Sequence, residues 1–165
     1  MSGTSATTFA PLTILNRGQF VTVLYNMQGR PNVTYDPDKF IDVKQNDYFA
    51  NPVMWAVNND ITSGTGNREF SPNEKITREQ VAVMLYKYAK LLNYDTSVGS
   101  INLQQHFPDA NKIDSWASDA MKWAVTNNII SGKATNSGTK LDPLGNTTRA
   151  ECAQMIKNFV KKFGK

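Results

Sequence analysis

An internal repeat constrains this chain more than any other feature of its sequence. Segments starting at Phe9, Phe70 and Leu141 read FAPLTILNRGQF, FSPNEKITREQV and LDPLGNTTRAEC. In each, a proline follows two positions after the first residue and an arginine eight after it, giving Arg17, Arg78 and Arg149. Ser-Gly pairs sit upstream as Ser2-Gly3, Ser63-Gly64 and Ser131-Gly132. From glycine to the next segment start is six residues in the first two copies and nine in the third, so the third loop is longer. A second element occurs twice. Phe40-Ile41-Asp42-Val43 leads to Trp55-Ala56-Val57, and Phe107-Pro108-Asp109-Ala110 leads to Trp123-Ala124-Val125. The chain therefore divides into the second half of a first repeat (1–30), a second repeat (38–93) and a third (105–165), expected to form one module.

Hydrophobic spacing assigns the elements. Behind each arginine, apolar residues recur in steps of four and three: Phe20, Leu24, Met27; Val81, Leu85, Tyr88, Leu92; Cys152, Ile156, Phe159, Phe163. That spacing puts each set on one face of a helix. Asn16 with Gln19, Thr77 with Gln80 and Thr148 with Glu151 have the spacing of capping boxes. The tryptophan elements read as helices over 48–60 and 115–128, with Pro52 tolerable only in a first turn. Stretches 29–39 and 93–106, rich in Gly, Pro, Asn, Asp and Ser, read as linkers. No alternating strand pattern stands out. The expected fold class is all-α, tandem helical hairpins.

Composition narrows the function classes. A single cysteine and a single histidine exclude an internal disulfide and a two-histidine metal site, so no metal and no cofactor is expected. Cys152 falls in a core stripe and reads as a structural thiol. The stretch 109–114 begins like a calcium loop but lacks the glycine its sharp turn needs. The net charge of +4 suits an anionic partner. The basic tail residues Lys157, Lys161, Lys162 and Lys165 read as a solvated helix face, with no aromatic-interleaved basic stripe for nucleic acid. No apolar run is long enough for membrane insertion. Residues 1–5 lack the basic and apolar parts of a signal peptide, so an export signal is expected elsewhere in a longer parent chain.

The arginines are the unusual residues. A cation in the first helical turn opposes the helix dipole, at a cost of a few tenths to about 1 kcal/mol. Two readings compete at this point: pairing with a carboxylate such as Asp42 or Asp109, or convergence of guanidinium and helix amides on an external anion. Gly3, Gly64 and Gly132 read as helix C-caps that also let a ligand approach backbone closely. Trp55 and Trp123 are either core anchors or sugar platforms, and Trp116, Tyr48 and Phe49 are open to the same two readings. Acid pairs Asp109 with Asp114, or Glu79 with Glu151, fit capping and turns better than glycoside hydrolysis, so the chain is read as no enzyme.

Together these residues resemble the S-layer homology (SLH) family: the opening FIDV at 40–43, the tryptophan helix, the stretch NDITSGTGNREFSPNEKITREQ ending at Gln80, and the closing tyrosine-rich helix. The resemblance covers nearly the whole chain. It implies three repeats packed about a pseudo-threefold axis with grooves between neighbours. It implies attachment of an extracellular protein to an anionic secondary polysaccharide of the bacterial cell wall, commonly pyruvylated. It also implies ligand-contacting roles for Arg17, Arg78, Arg149, Gly3, Gly64, Gly132, Asp42, Asp109, Trp55 and Trp123. Departures are the missing opening half of the first repeat, Gly18 within its motif, and Leu141 with the longer loop in the third. A bundle lacking one helix is expected to expose an apolar face and to cover it by homodimerisation or a helix swap. The rival functions are a protein-assembly module of a surface layer and an accessory region of a cell-wall glycoside hydrolase.

Overall fold

The computed structural model describes residues 9–136 and 138–164. Its helices are α1 (Arg17–Met27), α2 (Ala50–Asn58), α3 (Arg78–Leu91), the single turn α4 (Leu103–His106), α5 (Ser118–Thr126) and α6 (Arg149–Phe163). Short 3-10 turns at Ala110–Lys112 and Ser115–Ala117 lead into α5. Strands β1 (Lys133–Thr135) and β2 (Gly138–Lys140) pair antiparallel, with Lys133 opposite Lys140. This hairpin occupies the longer loop of the third repeat, where no strand was expected. Short strands closed by a tight turn leave too little alternation to detect. The linker 93–106 also contains α4, which Asn102 caps by accepting from the Gln104 N–H.

The three arginine helices begin as their capping boxes require. Asn16, Thr77 and Thr148 each accept a hydrogen bond from the third helical N–H, and Gln19, Gln80 and Glu151 reach back to the cap N–H. Pro52 lies in the first turn of α2, where its missing N–H costs nothing.

These helix starts meet in a closed ring. The Leu15 N–H donates to the Thr147 carbonyl, Thr147 donates to Ile76, and Ile76 donates back to Leu15, at 2.9, 2.9 and 3.0 Å. A second tier closes the same way: Arg17 N–H to Glu74, Arg78 N–H to Gly145, and Arg149 N–H to Thr13, at 2.9, 3.0 and 2.9 Å. Every helix start is thus held by the loop of the next repeat, and its otherwise orphaned amides are satisfied. Leu15, Ile76 and Thr147 are buried at the centre. Thr147 Oγ1 is the buried side-chain oxygen left without a partner among the described residues.

Around the ring, α1 packs on α2 and α3 packs on α5. Trp55 of α2 meets Tyr25 and Tyr88, and Trp123 of α5 meets Tyr86, Phe159 and Phe163. The linkers are pinned to this core. Tyr35 donates to the Val43 carbonyl, and Trp123 Nε1 donates to the Asp95 carbonyl at 3.1 Å. Cys152 is buried in the α6 core stripe, and burial pushes its thiol up to about 12. It is a packing residue, not a nucleophile.

Candidate functional site

Each arginine of the repeat crosses into its neighbour. Arg17 Nε donates to the Phe70 carbonyl and its Nη2 to the Ser63 carbonyl, both at 3.1 Å. Arg78 does the same to Leu141 and Ser131, both at 2.8 Å. Arg149 Nε donates to the Phe9 carbonyl at 2.9 Å. All three guanidinium groups are buried. Arg17 and Arg149 also lie over the rings of Phe70 and Phe9, 4.8 Å from each centroid. The dipole cost of a first-turn cation is therefore offset within the protein, by backbone carbonyls at close range. Neither reading of the arginines made from sequence included this role.

The aspartates complete the clamp. Asp42 accepts from the Phe70 and Ser71 N–H groups at 2.9 and 2.7 Å, and Asp109 from Leu141 and Asp142 at 2.9 and 2.8 Å. So Phe70 and Leu141 are each held at the N–H by an aspartate and at the carbonyl by an arginine from the preceding repeat. The next residue lies in the left-handed region in all three copies, with φ of 49° at Ala10, 57° at Ser71 and 52° at Asp142. Such a conformation persists where its surroundings over-determine it. Asp42 and Asp109 spend both oxygens on this loop, so their first duty is to shape it and not to face a ligand.

The glycines differ from expectation in mechanism. The left-handed residues that end α2 and α5 are Asp60 (φ 55°) and Asn128 (φ 56°), not Gly64 and Gly132. A Cβ on Gly64 would come 2.6 Å from the Glu69 carbonyl oxygen and 2.8 Å from the Phe40 ring. On Gly132 it would come 2.2 Å from a Thr139 methyl and 2.9 Å from the Phe107 ring. Glycine is needed here for close packing. Gly3 lies outside the described residues.

Trp55 and Trp123 are 4% and 0% exposed, and their rings are enclosed by aromatic neighbours. They present no face to a sugar, which corrects their place among the contact residues. Tyr48 and Trp116 are 61% and 55% exposed and occupy equivalent positions before α2 and α5. Exposure separated them from the buried tryptophans; their sequence pattern did not.

Three concavities follow the repeat. The first, about 580 Å³, is lined by Arg17, Ser63, Gly64, Thr65, Gln80, Met84, Lys87 and Trp116 among others, and no carboxylate lines it. Glu79 supports its rim from behind, because its buried Oε2 accepts the Asp114 N–H at 3.1 Å just ahead of Trp116. Burial raises the Glu79 carboxyl above the usual range; the Asp114 N–H opposes this and the Asp114 charge adds to it. The second concavity, about 140 Å³, holds Arg78, Gly132, Lys133, Glu151 and Asn158. Here Lys133 Nζ bridges Glu151 and Asp142, each at 2.8 Å, and Arg78 reaches Glu151 at 3.4 Å. Burial pushes the Glu151 carboxyl up, but the Lys133 hydrogen bond, the Thr148 N–H and the Lys133 charge together leave it below its ordinary value. The third, about 1180 Å³, joins Arg149, Gln19, Val23 and Tyr48 to an open face of α6.

The acid pairs raised by the sequence are committed elsewhere. Asp109 holds backbone amides, Glu79 holds Asp114, and Glu151 holds Lys133. Among the described residues no three His, Cys, Asp or Glu side chains gather as metal ligands, and no helix is long and apolar enough to cross a membrane.

Comparison with known proteins gives a consistent picture. The family model described as "S-layer homology domain" matches residues 39–82 and 106–153, more than half of the chain. The chain is 30% identical over 99% of its length to an amylopullulanase of Thermoanaerobacterium thermosulfurigenes, covering 8% of that protein. It is 28% identical over 93% of its length to a surface-layer 125 kDa protein of Lysinibacillus sphaericus, covering 12% of it. It is 35% identical over 58% of its length to a cellulosome-anchoring protein of Acetivibrio thermocellus, covering 20% of it. The chain therefore spans a fifth or less of these relatives.

Proposed function

Because the chain belongs to the S-layer homology domain family, a family of cell-surface modules, we propose that it is a non-catalytic anchor that holds its parent protein to an anionic cell-wall polysaccharide. We read the closed ring of Leu15, Ile76 and Thr147 as the axis of a pseudo-threefold helical bundle, which sets the grooves between neighbouring repeats. The observation that carries the functional reading is the lining of the Arg17 groove. Two cations, Arg17 and Lys87, share it with the Gly64 loop and the exposed Trp116, and no carboxylate is among its lining residues. That combination suits a sugar bearing an acidic group such as a pyruvate ketal. The ring of Trp116 covers the apolar face of the sugar, Lys87 meets its carboxylate, and the glycine lets backbone approach it. Relatives named for hydrolases contain this module as a small fraction of their length, which agrees with an anchoring role beside a separate catalytic region.

The test is calorimetric titration with isolated cell-wall polysaccharide, before and after mild acid removes its ketals. Binding should vanish with the ketals. Trp116→Ala should weaken it about tenfold, on the scale of a well-placed interfacial tryptophan, with little change in melting temperature. Binding that survives both changes would overturn the reading.

A further inference from the structure

The arginine helices α1, α3 and α6 carry different residues directly after the arginine: Gly18, Glu79 and Ala150. Gly18 has no room for a side chain, since a Cβ there would stand 3.1 Å from the Pro72 carbonyl oxygen and 3.3 Å from the Phe49 ring. Phe49 is the residue on which α2 begins, directly after Tyr48. Ala117 takes that place at α5, directly after Trp116, and is buried. The two rims thus divide their bulk in opposite ways, glycine with phenylalanine at one and glutamate with alanine at the other. The glutamate adds a polar tie that glycine and alanine cannot make. Glu79 is 2% exposed, and its Oε2 accepts the Asp114 N–H at 3.1 Å. Asp114 opens the 3-10 turn Ser115–Ala117, which the Ala117 N–H closes by donating to the Asp114 carbonyl at 2.9 Å. Trp116 stands inside that turn, and the turn packs on α3, whose Gln80, Met84 and Lys87 line the Arg17 groove with it.

We propose that Glu79 is a positioning residue of the Arg17 groove, holding Trp116 over α3 for a sugar through the Asp114 N–H. The inference rests on the polysaccharide reading of that groove, and it carries a pH dependence. Of the segments against Glu79, the rim brings the Asp114 carboxylate. The loop whose Pro143 carbonyl accepts the Glu79 N–H brings Pro143, Leu144 and Gly145, none of them titratable. On α3 itself, Arg78 is turned to the Leu141 and Ser131 carbonyls. Burial holds the Glu79 carboxyl above the usual range; the Asp114 N–H opposes this and the Asp114 charge adds to it. Protonated, Glu79 can accept the Asp114 N–H and also donate to the Asp114 carboxylate. Ionised, it keeps the first bond against the repulsion of two carboxylates. Rising pH therefore loosens the turn that carries Trp116. Neither a carboxylate nor the single histidine lines the groove, so the dependence belongs to the pair behind it.

Two readouts on the 165-residue protein test this. The first needs no ligand: acrylamide quenching of Trp116 fluorescence, each protein being measured against the same protein carrying Trp116→Phe. Quenching should rise with pH and rise further in Glu79→Ala. Glu79→Gln, which keeps an acceptor for the Asp114 N–H, should restore low quenching at every pH. The second readout is calorimetric titration with the isolated polysaccharide. The affinity of the unsubstituted protein should fall about threefold between about pH 4.5 and pH 8, the scale of one hydrogen bond. Glu79→Gln should remove that fall, and Glu79→Ala should weaken binding at both ends of the range. A purely structural role would lower the melting temperature of Glu79→Ala and leave quenching and the pH profile unmoved, which overturns the proposal. If Glu79→Ala does not fold, the unsubstituted protein against Glu79→Gln across pH decides, and identical profiles overturn it. Absence of polysaccharide binding at either pH overturns the polysaccharide reading together with this one. Binding without the Glu79 effects overturns this one alone.

Discussion

The Arg17 and Arg78 grooves are built from equivalent parts and differ in what surrounds the guanidinium. Both arginines spend Nε and Nη2 on two carbonyls of the following loop. The groove walls then diverge. Gln80 and Thr65 border the Arg17 groove, where Glu151 and Lys133 stand in the Arg78 groove. The second pair closes an ion network with Asp142 and leaves about 140 Å³ against about 580 Å³. Trp116 stands at the first groove, and no described residue of that kind borders the second. A capping box accepts either Gln or Glu at its third position, so this choice leaves helix stability alone and sets the charge of the groove. One repeat can thus keep its architecture while changing what it offers a ligand.

The largest expected effect tests what the two grooves share. Arg17→Ala and Arg78→Ala should each destabilise the fold by about 3 kcal/mol, since two loop carbonyls lose a charged donor. That corresponds to roughly 10 °C in melting temperature, checked by calorimetry. Lysine at either position should recover only part of it, because one ammonium cannot span both carbonyls in a fixed geometry. A small loss at Arg17 alone would break the equivalence.

The next prediction exchanges the walls. Gln80→Glu should lower affinity for an acidic polysaccharide about fivefold, near 1 kcal/mol of added like-charge repulsion. Lys133→Thr with Glu151→Gln should open the Arg78 groove and raise binding stoichiometry in the same titration. Unchanged stoichiometry would mean that the missing aromatic is decisive there.

Glu79 sharpens the comparison through pH. Burial raises its carboxyl above the unfolded value, so the folded state holds the proton more tightly. Stability from this group is present at low pH and falls as pH rises through the folded value. Glu79→Gln keeps an acceptor for the Asp114 N–H and removes the buried charge. It should therefore raise the neutral-pH melting temperature by a few degrees, with the difference vanishing near pH 4 in thermal scans. The smallest effect concerns the ring beneath both grooves. Thr147→Val, at the position of Leu15 and Ile76, should stabilise by about 1 kcal/mol by removing an unpartnered hydroxyl, read from urea unfolding.

Much of the architecture was legible. The three capping boxes, the apolar stripes and the place of Pro52 follow from near-neighbour rules, and near neighbours in sequence are near neighbours on a helix. Family membership was legible too, because it rests on recurring spacings. The candidate site was legible only in outline. Arg17 and Gly64 lie at a groove, and of the two readings left open for Trp55 and Trp123 their burial supports the core anchor. Trp116 was left open between core and sugar contact, and Lys87 and the contrast between Gln80 and Glu151 went unremarked, since nothing local marks a side chain as facing a groove.

By itself the sequence determined the repeats and the helix starts, both of them properties of residues a few positions apart. Only the tertiary structure decided that the arginines hold neighbouring loops, that the glycines serve packing against Phe40 and Phe107, and that one groove is open while another neutralises itself. Those outcomes depend on contacts between residues from 9 to 140 positions apart. Such distances along the chain are set by how the helices close on one another, and no local pattern records them.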